Sequence, residues 1–158
     1  MEPLFQTDLV YTYEIYEAFN KLVFGKSLHK LTILIAILFP LMTFFLYLMH
    51  TVQLLIFFAI FTAVYPFLLI FARKRAIKKT WQSNKILQDQ QMHYDFYDDR
   101  AVQISPLGNA ACEYEKLYDV LENDRLICLM ISNNQGMAIL KENCSEELLQ
   151  FLKKLKHR

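Results

Sequence analysis

The chain of 158 residues carries a formal net charge of only +1, and this near balance excludes a global electrostatic attraction to nucleic acid. Its length suits one soluble domain, or a pair of membrane helices with one small domain. Hydrophobic residues make up 54% of the chain and aromatic residues 15%, which is above the range of ordinary soluble domains. Its three glycines, at positions 25, 108 and 136, are too few and too far apart for a P-loop or a dinucleotide-binding fingerprint.

The cysteines and histidines predict neither a disulfide framework nor a metal site. Three cysteines cannot all pair with one another, and none belongs to a CxxC motif, so we expect small buried thiols in a reducing compartment. The four histidines show no ligand spacing relative to each other or to the cysteines. The residues concerned are Cys112, Cys128, Cys144, His29, His50, His93 and His157.

The N-terminal segment, residues 1–30, predicts a strand followed by an amphipathic helix. Apolar and polar side chains alternate over Leu4–Tyr11, as in a half-buried strand. From Tyr13 the apolar spacing becomes helical, and Gly25 marks the expected end of the helix. This helix either lies in the membrane interface or packs on the C-terminal domain, and the pattern does not separate the two positions. A cleaved secretory leader is not expected, because acidic residues precede the first apolar run.

An uncharged stretch from Leu31 to Ala72 dominates the chain and predicts two transmembrane helices. As one helix it would be roughly 63 Å long, about twice the hydrocarbon thickness of a bilayer. A fold at the polar residues His50–Thr51 gives two spans, 31–49 and 52–72, in a helical hairpin. The alternative is a pair of core helices in a soluble domain, which a chain of 158 residues could hardly cover.

Basic residues flank the uncharged stretch on both sides and predict its orientation. Lys21, Lys26 and Lys30 precede it and a basic cluster follows it, whereas the connector between the spans has no Lys or Arg. By the positive-inside rule both termini face the cytoplasm, so we expect a multi-pass protein of the plasma membrane. The cluster also attracts anionic lipid headgroups, at roughly 1 kcal/mol per cation. The basic cluster comprises Arg73, Lys74, Arg75, Lys78 and Lys79.

Small residues on the two spans predict how the helices pack against each other. Close approach of the backbones stabilises helix pairs in lipid. The expected fold of the hairpin places Thr43 at the depth of Ala59 and Ala36 at the depth of Ala63. One proline in each span removes a backbone donor and bends the helix. No Asp, Glu, Lys or Arg lies at membrane depth, so we interpret these prolines as packing kinks rather than as the broken helices of a transport path.

The rest of the chain predicts a stiff basic helix and then a small β domain. Residues 73–91 continue the second helix, without a glycine to interrupt it. In residues 92–158, short strands separated by turn residues predict an antiparallel meander, which a C-terminal helix with an N-cap at Ser145 closes. The predicted strands are Met92–Tyr97, Ala101–Ser105, Ala110–Tyr114, Tyr118–Glu122, Leu126–Ile131 and Gly136–Lys141.

Several short patterns in this β domain resemble the YcxB-like family of small bacterial membrane proteins. They are Phe96-Tyr97-Asp98-Asp99, Tyr114-Glu115-Lys116-Leu117-Tyr118, Leu129–Asn133 and Ala138-Ile139-Leu140-Lys141. The resemblance covers about Tyr94 to Leu155. The chain departs from the family pattern at two places: Arg100 stands where Gly is common, and Leu140, just before Lys141, stands where Pro is common. The resemblance implies a cytoplasmic domain similar to bacterial pleckstrin-homology-like folds, a bent antiparallel sheet closed by one helix. It brings no catalytic residues.

No set of residues predicts catalysis, so we expect a non-enzymatic protein that needs no cofactor or metal. Asp95, Asp98 and Asp99 lack the glycine and the distal Glu of a calcium loop and predict a solvated turn. Cys112 and His93 could be drawn as a catalytic dyad, but both fall in predicted strands without an orienting motif.

The sequence therefore predicts an α+β membrane protein, with a transmembrane helical hairpin and a small antiparallel β domain. The leading hypothesis is a membrane-anchored interaction module, which presents this domain at the inner leaflet to a protein partner or to a second copy. One alternative is a small envelope immunity or stress protein against membrane-active peptides. Another is a subunit of an oligomeric transporter, with a path lined by Thr43, Thr62 or Tyr65. Nucleic acid is not expected as a partner, since the basic cluster lies against the membrane.

Overall fold

The computed structural model describes residues 2–49 and 52–156 and divides the chain into two compact units. The β unit combines Met1–Phe24 with Ser83–Arg158, and the helical unit is Gly25–Gln82. The predicted fold point at His50–Thr51 lies outside the described residues, as does His157. In chain order the elements are β1 (Phe5–Tyr11), α1 (Tyr13–Leu48), α2 (Val52–Ser83), β2 (Gln90–Phe96), β3 (Arg100–Ser105), β4 (Gly108–Glu113), β5 (Asp119–Glu122), β6 (Leu126–Met130), β7 (Gly136–Leu140) and α3 (Glu146–Leu155).

The N-terminal strand joins the strands that follow the helices in a four-stranded antiparallel sheet, in the order β1-β2-β3-β4. The register places Leu9 opposite Met92 and Thr7 opposite Tyr94, and all four side chains are buried, whereas Asp8 is exposed. The half-buried strand predicted from the alternation over Leu4–Tyr11 is therefore confirmed. Because α1 and α2 lie between β1 and β2 in sequence, this pairing joins a segment that precedes the helical unit in the chain to a segment that follows it.

Strands β5, β6 and β7 form a separate three-stranded antiparallel sheet. The single meander predicted from the sequence is wrong at this point, because the chain leaves β4 through a 3-10 turn at Tyr114–Lys116 and begins a new sheet. Strands and turns alone do not specify which neighbours pair, since the same alternation suits one sheet or two. Both sheets contribute fully buried side chains to one core, among them Phe96, Leu129 and Ile139.

The C-terminal helix α3 adds Leu148, Leu152 and Leu155 to the same core. The hydroxyl oxygen of Ser145 accepts a hydrogen bond from the Leu148 N–H at 3.2 Å, which confirms the predicted N-cap. Glutamates in the first turn and lysines in the last complement the helix dipole. The protein is thus a mixed α+β protein with antiparallel sheets, as its sequence predicts.

The first helix, α1, is longer than predicted and belongs to both units. Its N-terminal part places Ile15, Phe19 and Val23 in the core of the β unit, which decides between the two positions left open for this segment. The predicted end at Gly25 is wrong, because the helix continues to Leu48. A Cβ at Gly25 would meet no atom within 4 Å, and the glycine does not adopt a positive φ. It is therefore tolerated within the helix, at a cost of about 1 kcal/mol relative to Ala.

The second helix, α2, ends at Ser83 rather than at residue 91. In the turn that follows, Asp89 adopts a left-handed φ of 57°, and its N–H donates to the Tyr11 carbonyl at 3.1 Å. This hydrogen bond lies at the start of the pairing between β1 and β2. Between the helix and this bond the chain forms a turn, in which the Leu87 N–H donates to the Asn84 carbonyl at 3.2 Å, and no Gly or Pro marks the end of the helix.

Within the helical unit, α1 and α2 pack against each other through aromatic side chains. The ring centroid of Phe39 on α1 lies 5.3 Å from that of Phe61 on α2. It lies 6.1 Å from the ring centroids of Phe58 and Tyr65. The contact of one α1 ring with three successive turns of α2 is typical of helices that run side by side.

Among the described residues, one helix is long and apolar enough to cross a membrane by length and composition, namely α2, with a mean hydropathy of 2.6. None of its most apolar stretch is buried, unlike the core helix of a soluble domain. The apolar part of α1, Thr32–Leu48, is shorter. A span needs about 20 residues, so length and composition support one of the two predicted spans, 52–72, and do not by themselves establish the two-span hairpin.

Candidate functional site

The basic cluster predicted from the sequence lies on α2, after its apolar part. Lys74, Arg75, Lys78 and Lys79 are exposed, and Arg73 is half-buried. Two pairs of exposed cations are four residues apart on the helix, so like charges are neighbours on its surface. Such pairs of like charges destabilise a helix slightly.

The small residues predicted to pack the helices line grooves between α1 and α2. Thr43 and Ala59 line the same groove, of about 470 Å³. Ala36 lines a second groove of about 130 Å³, and Ala63 is exposed on α2. The structure thus brings Thr43 and Ala59 together, whereas the ring contacts between the helices are made by Phe39 and the aromatic residues of α2.

Two threonine hydroxyls of the helical unit are bonded within their own helices. The Thr43 hydroxyl donates to the Phe39 carbonyl at 2.8 Å, and the Thr62 hydroxyl donates to the Phe58 carbonyl at 2.8 Å. Bonding to the carbonyl four residues earlier satisfies each donor without an ion or a solute. The grooves beside these residues are therefore apolar in character.

A histidine on the outer face of the four-stranded sheet joins two carboxylates. His93 Nδ1 lies 2.7 Å from Asp8 Oδ1, and its Nε2 lies 3.1 Å from Asp95 Oδ1. The hydrogen bond to Asp8 raises the pKa of His93, and the charge of Asp95 adds to this effect. Cys112 lies on the opposite face of this sheet, in the core, so the two residues do not form a dyad. His93 instead links β1 to β2.

The cysteines are free thiols with the surroundings of core residues. Cys112 and Cys128 are buried, and Cys144 is half-buried. Burial raises the pKa of Cys128 to about 12, so its thiol is protonated at neutral pH and is a poor nucleophile. In the described part of the chain, no three or more His, Cys, Asp or Glu residues are placed together to hold a metal ion.

A cleft of about 550 Å³ in the β unit, the β5–α3 cleft, is the best candidate for a binding site. It lies between the link from β4 to β5 and the C-terminal end of α3. Its walls combine two tyrosines, two carboxylates and one ammonium group with apolar side chains, which is the mixture that polar recognition requires. The lining residues are Tyr114, Glu115, Leu117, Tyr118, Asp119, Val120, Leu155 and Lys156.

Tyr114 is the buried polar residue of the β5–α3 cleft. It is 7% exposed, and its ring packs edge-on against Phe151 with the centroids 5.7 Å apart. Within the described residues, the hydroxyl oxygen of Tyr114 is buried and has no hydrogen-bond partner. Burial raises the pKa of Tyr114, and the charge of Asp99 adds to it, so the phenol is protonated at neutral pH. An unsatisfied buried hydroxyl costs about 1–3 kcal/mol, which a bound polar group would offset.

The strand beside the cleft, β5, is an edge strand that pairs with β6 alone among the described strands. Oδ1 of Asp119 accepts a hydrogen bond from the Val120 N–H at 2.8 Å. Tyr118, just before the strand, is 66% exposed. Charged side chains on edge strands prevent unwanted pairing, so the Asp119 carboxylate covers this edge.

The ammonium group of the cleft interacts with a glutamate of β5. Lys156 Nζ lies 3.6 Å from one carboxylate oxygen of Glu122, and Lys141 Nζ lies 2.7 Å from the other. The hydrogen bond from Lys141 lowers the pKa of Glu122, and the charges of the lysines lower it further. Lys156 thus lies close to Glu122, and the cleft is also lined by the carboxylates of Glu115 and Asp119.

The sequence predicted the elements that line this cleft, but it did not predict that they enclose a cleft. Tyr114–Tyr118 was predicted as the end of one strand, a turn and the start of the next, and α3 was predicted from its cap and its apolar stripe. This segment and α3 come together because β5 belongs to a second sheet, and the spacing of residues in the sequence does not predict that sheet. Compared with family models, with curated proteins and with solved structures, the chain has no match.

Proposed function

We propose that the protein is a membrane-anchored, non-enzymatic interaction module. Its two apolar helices cross the plasma membrane as a hairpin, and its β unit binds a protein partner on the cytoplasmic side through the β5–α3 cleft. The observation that carries the binding role is this cleft, in which a buried Tyr114 hydroxyl lacks a partner among the described residues. The YcxB-like resemblance points the same way, because it brings no catalytic residues.

The contacts between α1 and α2 support the two-span hairpin. Ala36 shares a groove with Pro66, and Thr43 shares one with Ala59, so position increases along α1 as it decreases along α2. The helices are therefore antiparallel neighbours. Thr32–Leu48 spans roughly 25 Å at 1.5 Å per residue. A span slightly shorter than the bilayer is accommodated by local thinning of the lipid.

The distribution of basic residues supports cytoplasmic termini and contact with anionic headgroups. Lys30 is exposed before the apolar part of α1, and the basic cluster follows the apolar part of α2. Lys and Arg beside a span are retained on the cytoplasmic side. The neighbouring like charges on α2 gain from anionic headgroups, which lie at that depth on the inner leaflet.

The sheet arrangement supports a pleckstrin-homology-like assignment for the β unit. A four-stranded and a three-stranded antiparallel sheet are followed by one C-terminal helix. Here α1 and α2 are inserted between the first and second strands, at a connection between neighbouring strands where insertions are tolerated. Such a scaffold presents an edge strand and a helix side by side, which is how peptides are commonly recognised.

The binding role can be tested by photo-crosslinking the full-length protein in native membranes. A photoreactive amino acid replaces Tyr118, which is 66% exposed, and the matched control replaces Ile131, which is 46% exposed and does not line the cleft. We expect a defined adduct at position 118 that Tyr114→Phe weakens, and no such adduct at position 131. An adduct of two copies would identify the partner as the protein itself. Recovery of the uncrosslinked monomer alone would contradict the proposal.

The membrane topology can be tested by cysteine labelling in intact cells. Met49→Cys lies at the end of α1 and is expected to react with an impermeant maleimide from outside, because Met49 is 59% exposed. Lys154→Cys, on α3, is expected to react only after the membrane is permeabilised. The parent protein, with its native thiols, is the control for background labelling. If both positions react from the same side, the hairpin is wrong.

A further inference from the structure

We propose that His93 and its two carboxylate partners form a pH-sensitive clasp, which holds β1 against β2 while the imidazole is charged and loosens as the pH rises. The partners are Asp8 on β1 and Asp95 on β2. None of these three residues lines the β5–α3 cleft. The geometry of the clasp is independent of the proposed function, which decides only that the pH it senses is that of the cytoplasm.

The contacts of His93 require both of its ring nitrogens to donate. Nδ1 lies 2.7 Å from Asp8 Oδ1, and Nε2 lies 3.1 Å from Asp95 Oδ1. An ionised carboxylate accepts hydrogen bonds and cannot donate them. A neutral imidazole has one N–H and an imidazolium has two, so only the charged ring satisfies both contacts. When the ring loses a proton, a nitrogen lone pair faces a carboxylate oxygen and that contact becomes repulsive.

The two carboxylates differ in how firmly they are held. Asp95 is 8% exposed, and its Oδ1 also accepts a hydrogen bond from Gln6 Nε2 at 2.8 Å. Asp8 is exposed, so water replaces His93 as the donor to its carboxylate when the contact breaks. A buried carboxylate has no such replacement and is costly to leave without a donor. Deprotonation of His93 therefore releases Asp8, and with it the side-chain link between β1 and β2.

The charges around His93 favour its protonated form. The residue opposite it on β1 is Asp8 and the residue opposite it on β3 is Ile104, so among the described residues the charges that face the ring are those of the two carboxylates. The hydrogen bond to Asp8 raises the pKa of His93 above its ordinary value of 6.5, against a smaller effect of burial, and both negative charges raise it further. A group of this kind contributes stability that is fully present below pH 6.5 and is lost as the pH rises through the folded pKa.

The other side-chain bonds that attach β1 to the β unit involve no ionisable group. The Thr7 hydroxyl donates to the Asn143 carbonyl at 2.9 Å, and the Asn143 side-chain amide donates to the Asp8 carbonyl at 2.7 Å. These bonds lie on the edge of β1 that does not pair with β2, and they persist when the clasp opens. Opening is therefore a local loosening of β1, the strand that leads into α1, and not an unfolding of the β unit.

Hydrogen–deuterium exchange of the full-length protein in detergent micelles tests the clasp. Protection factors, corrected for the intrinsic effect of pH on exchange, are compared at pH 6 and pH 8. We expect the protection of β1 to fall about two- to fivefold at the higher pH, because exposed ion pairs are weak, and that of β6, in the core, to stay the same. His93→Gln should remove this difference and Asp8→Asn should reduce it. Glu113→Gln breaks a surface ion pair with Lys116 on another strand of the protein and should leave it unchanged.

Titration of the histidines by NMR in the same micelles keeps the test decisive if His93→Gln folds poorly. The resonance of His93 is identified by its absence from His93→Gln or, failing that, by its shift in Asp8→Asn. We expect His93 to titrate above pH 6.5 in the parent protein and closer to 6.5 in Asp8→Asn, because the hydrogen bond to Asp8 is the largest cause of the raised pKa.

Two results would overturn the clasp. One is a protection of β1 that is equal at both pH values or that keeps its pH dependence in His93→Gln. The other is a His93 resonance that titrates at or below pH 6.5. Neither measurement needs a membrane or a partner, so failure of the clasp leaves the proposed function to the adduct at position 118 and to cysteine labelling. Labelling of Lys154→Cys from outside intact cells would contradict the proposed function and, with it, the cytoplasm as the compartment that the clasp senses.

Discussion

The two units of the molecule place the same apolar residue types in opposite ways. In the β unit, Phe96 and Ile139 are 0% exposed, whereas in the helical unit Phe67 is 74% exposed and Ile37 is 63% exposed. Burial of apolar surface stabilises a fold in water by roughly 25 cal/mol per Å², so the surface of the helical unit is unfavourable in water and favourable in lipid. Under the proposed function, lipid covers the apolar surface of the helical unit, whereas the β unit buries its apolar side chains in a core of its own.

The largest effect is expected from removing one aromatic ring in each unit. Phe96→Ala leaves a cavity in the core of the β unit and should lower its free energy of unfolding by about 3–5 kcal/mol. Phe67→Ala removes an exposed ring of the helical unit and should change the free energy of unfolding of that unit by less than about 0.5 kcal/mol. Chemical denaturation of the full-length protein in detergent micelles measures both. Equal losses would show that the two units do not differ in this way.

A charge placed on the exposed face of α2 tests which solvent covers it. Phe67→Arg should disfavour membrane insertion by up to about 2.5–3.5 kcal/mol, the cost at the centre of a span, because Phe67 lies five residues inside the end of the span at Ala72. The matched change Tyr118→Arg, at an exposed position of the β unit, should leave insertion unaffected. The fraction of protein that resists carbonate extraction from membranes reports insertion. Undiminished insertion of Phe67→Arg would contradict a lipid-facing surface.

Two glycines extend the comparison to the backbone. A Cβ at Gly136 would lie 2.6 Å from the Leu129 carbonyl oxygen, so Gly136→Ala should destabilise the β unit by about 1–3 kcal/mol. A Cβ at Gly25 would meet no atom within 4 Å, so Gly25→Ala should stabilise α1 by about 1 kcal/mol. Thermal unfolding followed by circular dichroism measures both shifts. Shifts of the same sign would mean that Gly25 has a role that its surroundings do not indicate.

The smallest effect is expected from an ion pair at the surface of the β unit. The hydrogen bond from Lys141 lowers the pKa of Glu122, so its contribution to stability is present above the unfolded pKa of about 4.3 and is lost as the pH falls through the folded pKa. Glu122→Gln should therefore destabilise the protein more at pH 7 than at pH 3. Denaturation midpoints at both values test this, with Glu142→Gln, at an exposed position outside α3, as the control. A loss that is equal at both values would rule out the ion pair as its source.

Much of the fold could be predicted because its signals are local. The alternation over Leu4–Tyr11 predicted β1, the turn residues separated the later strands, and Ser145 predicted the start of α3. The predicted end of α1 at Gly25 was wrong because a single glycine is only a weak signal for the end of a helix, and a Cβ at Gly25 would meet no atom within 4 Å. The predicted end of α2 was wrong because residues 84–89 form a turn that leads into the pairing of β1 with β2, and no Gly or Pro in the sequence marks this turn.

The candidate site was harder to predict than the fold. The YcxB-like patterns include Tyr114–Tyr118, yet as a pattern this segment predicts only a strand end and a turn. Its role depends on contacts with Leu155 and Lys156, which lie far along the chain. Tyr114 looks like any core aromatic residue in sequence, and its unsatisfied hydroxyl, judged against the described residues, appears only when its neighbours are placed.

The sequence by itself determined where the chain is apolar, where it turns and where its charges lie, because helix caps, periodicity and hydropathy act between near neighbours. The tertiary structure decided that β1 pairs with β2 across the helical unit, that the later strands form two sheets, and that an edge strand and a helix end enclose a cleft. Such pairings depend on the summed burial and hydrogen bonding of residues distant in sequence. No single segment carries that information, and it becomes definite only when the whole core is packed.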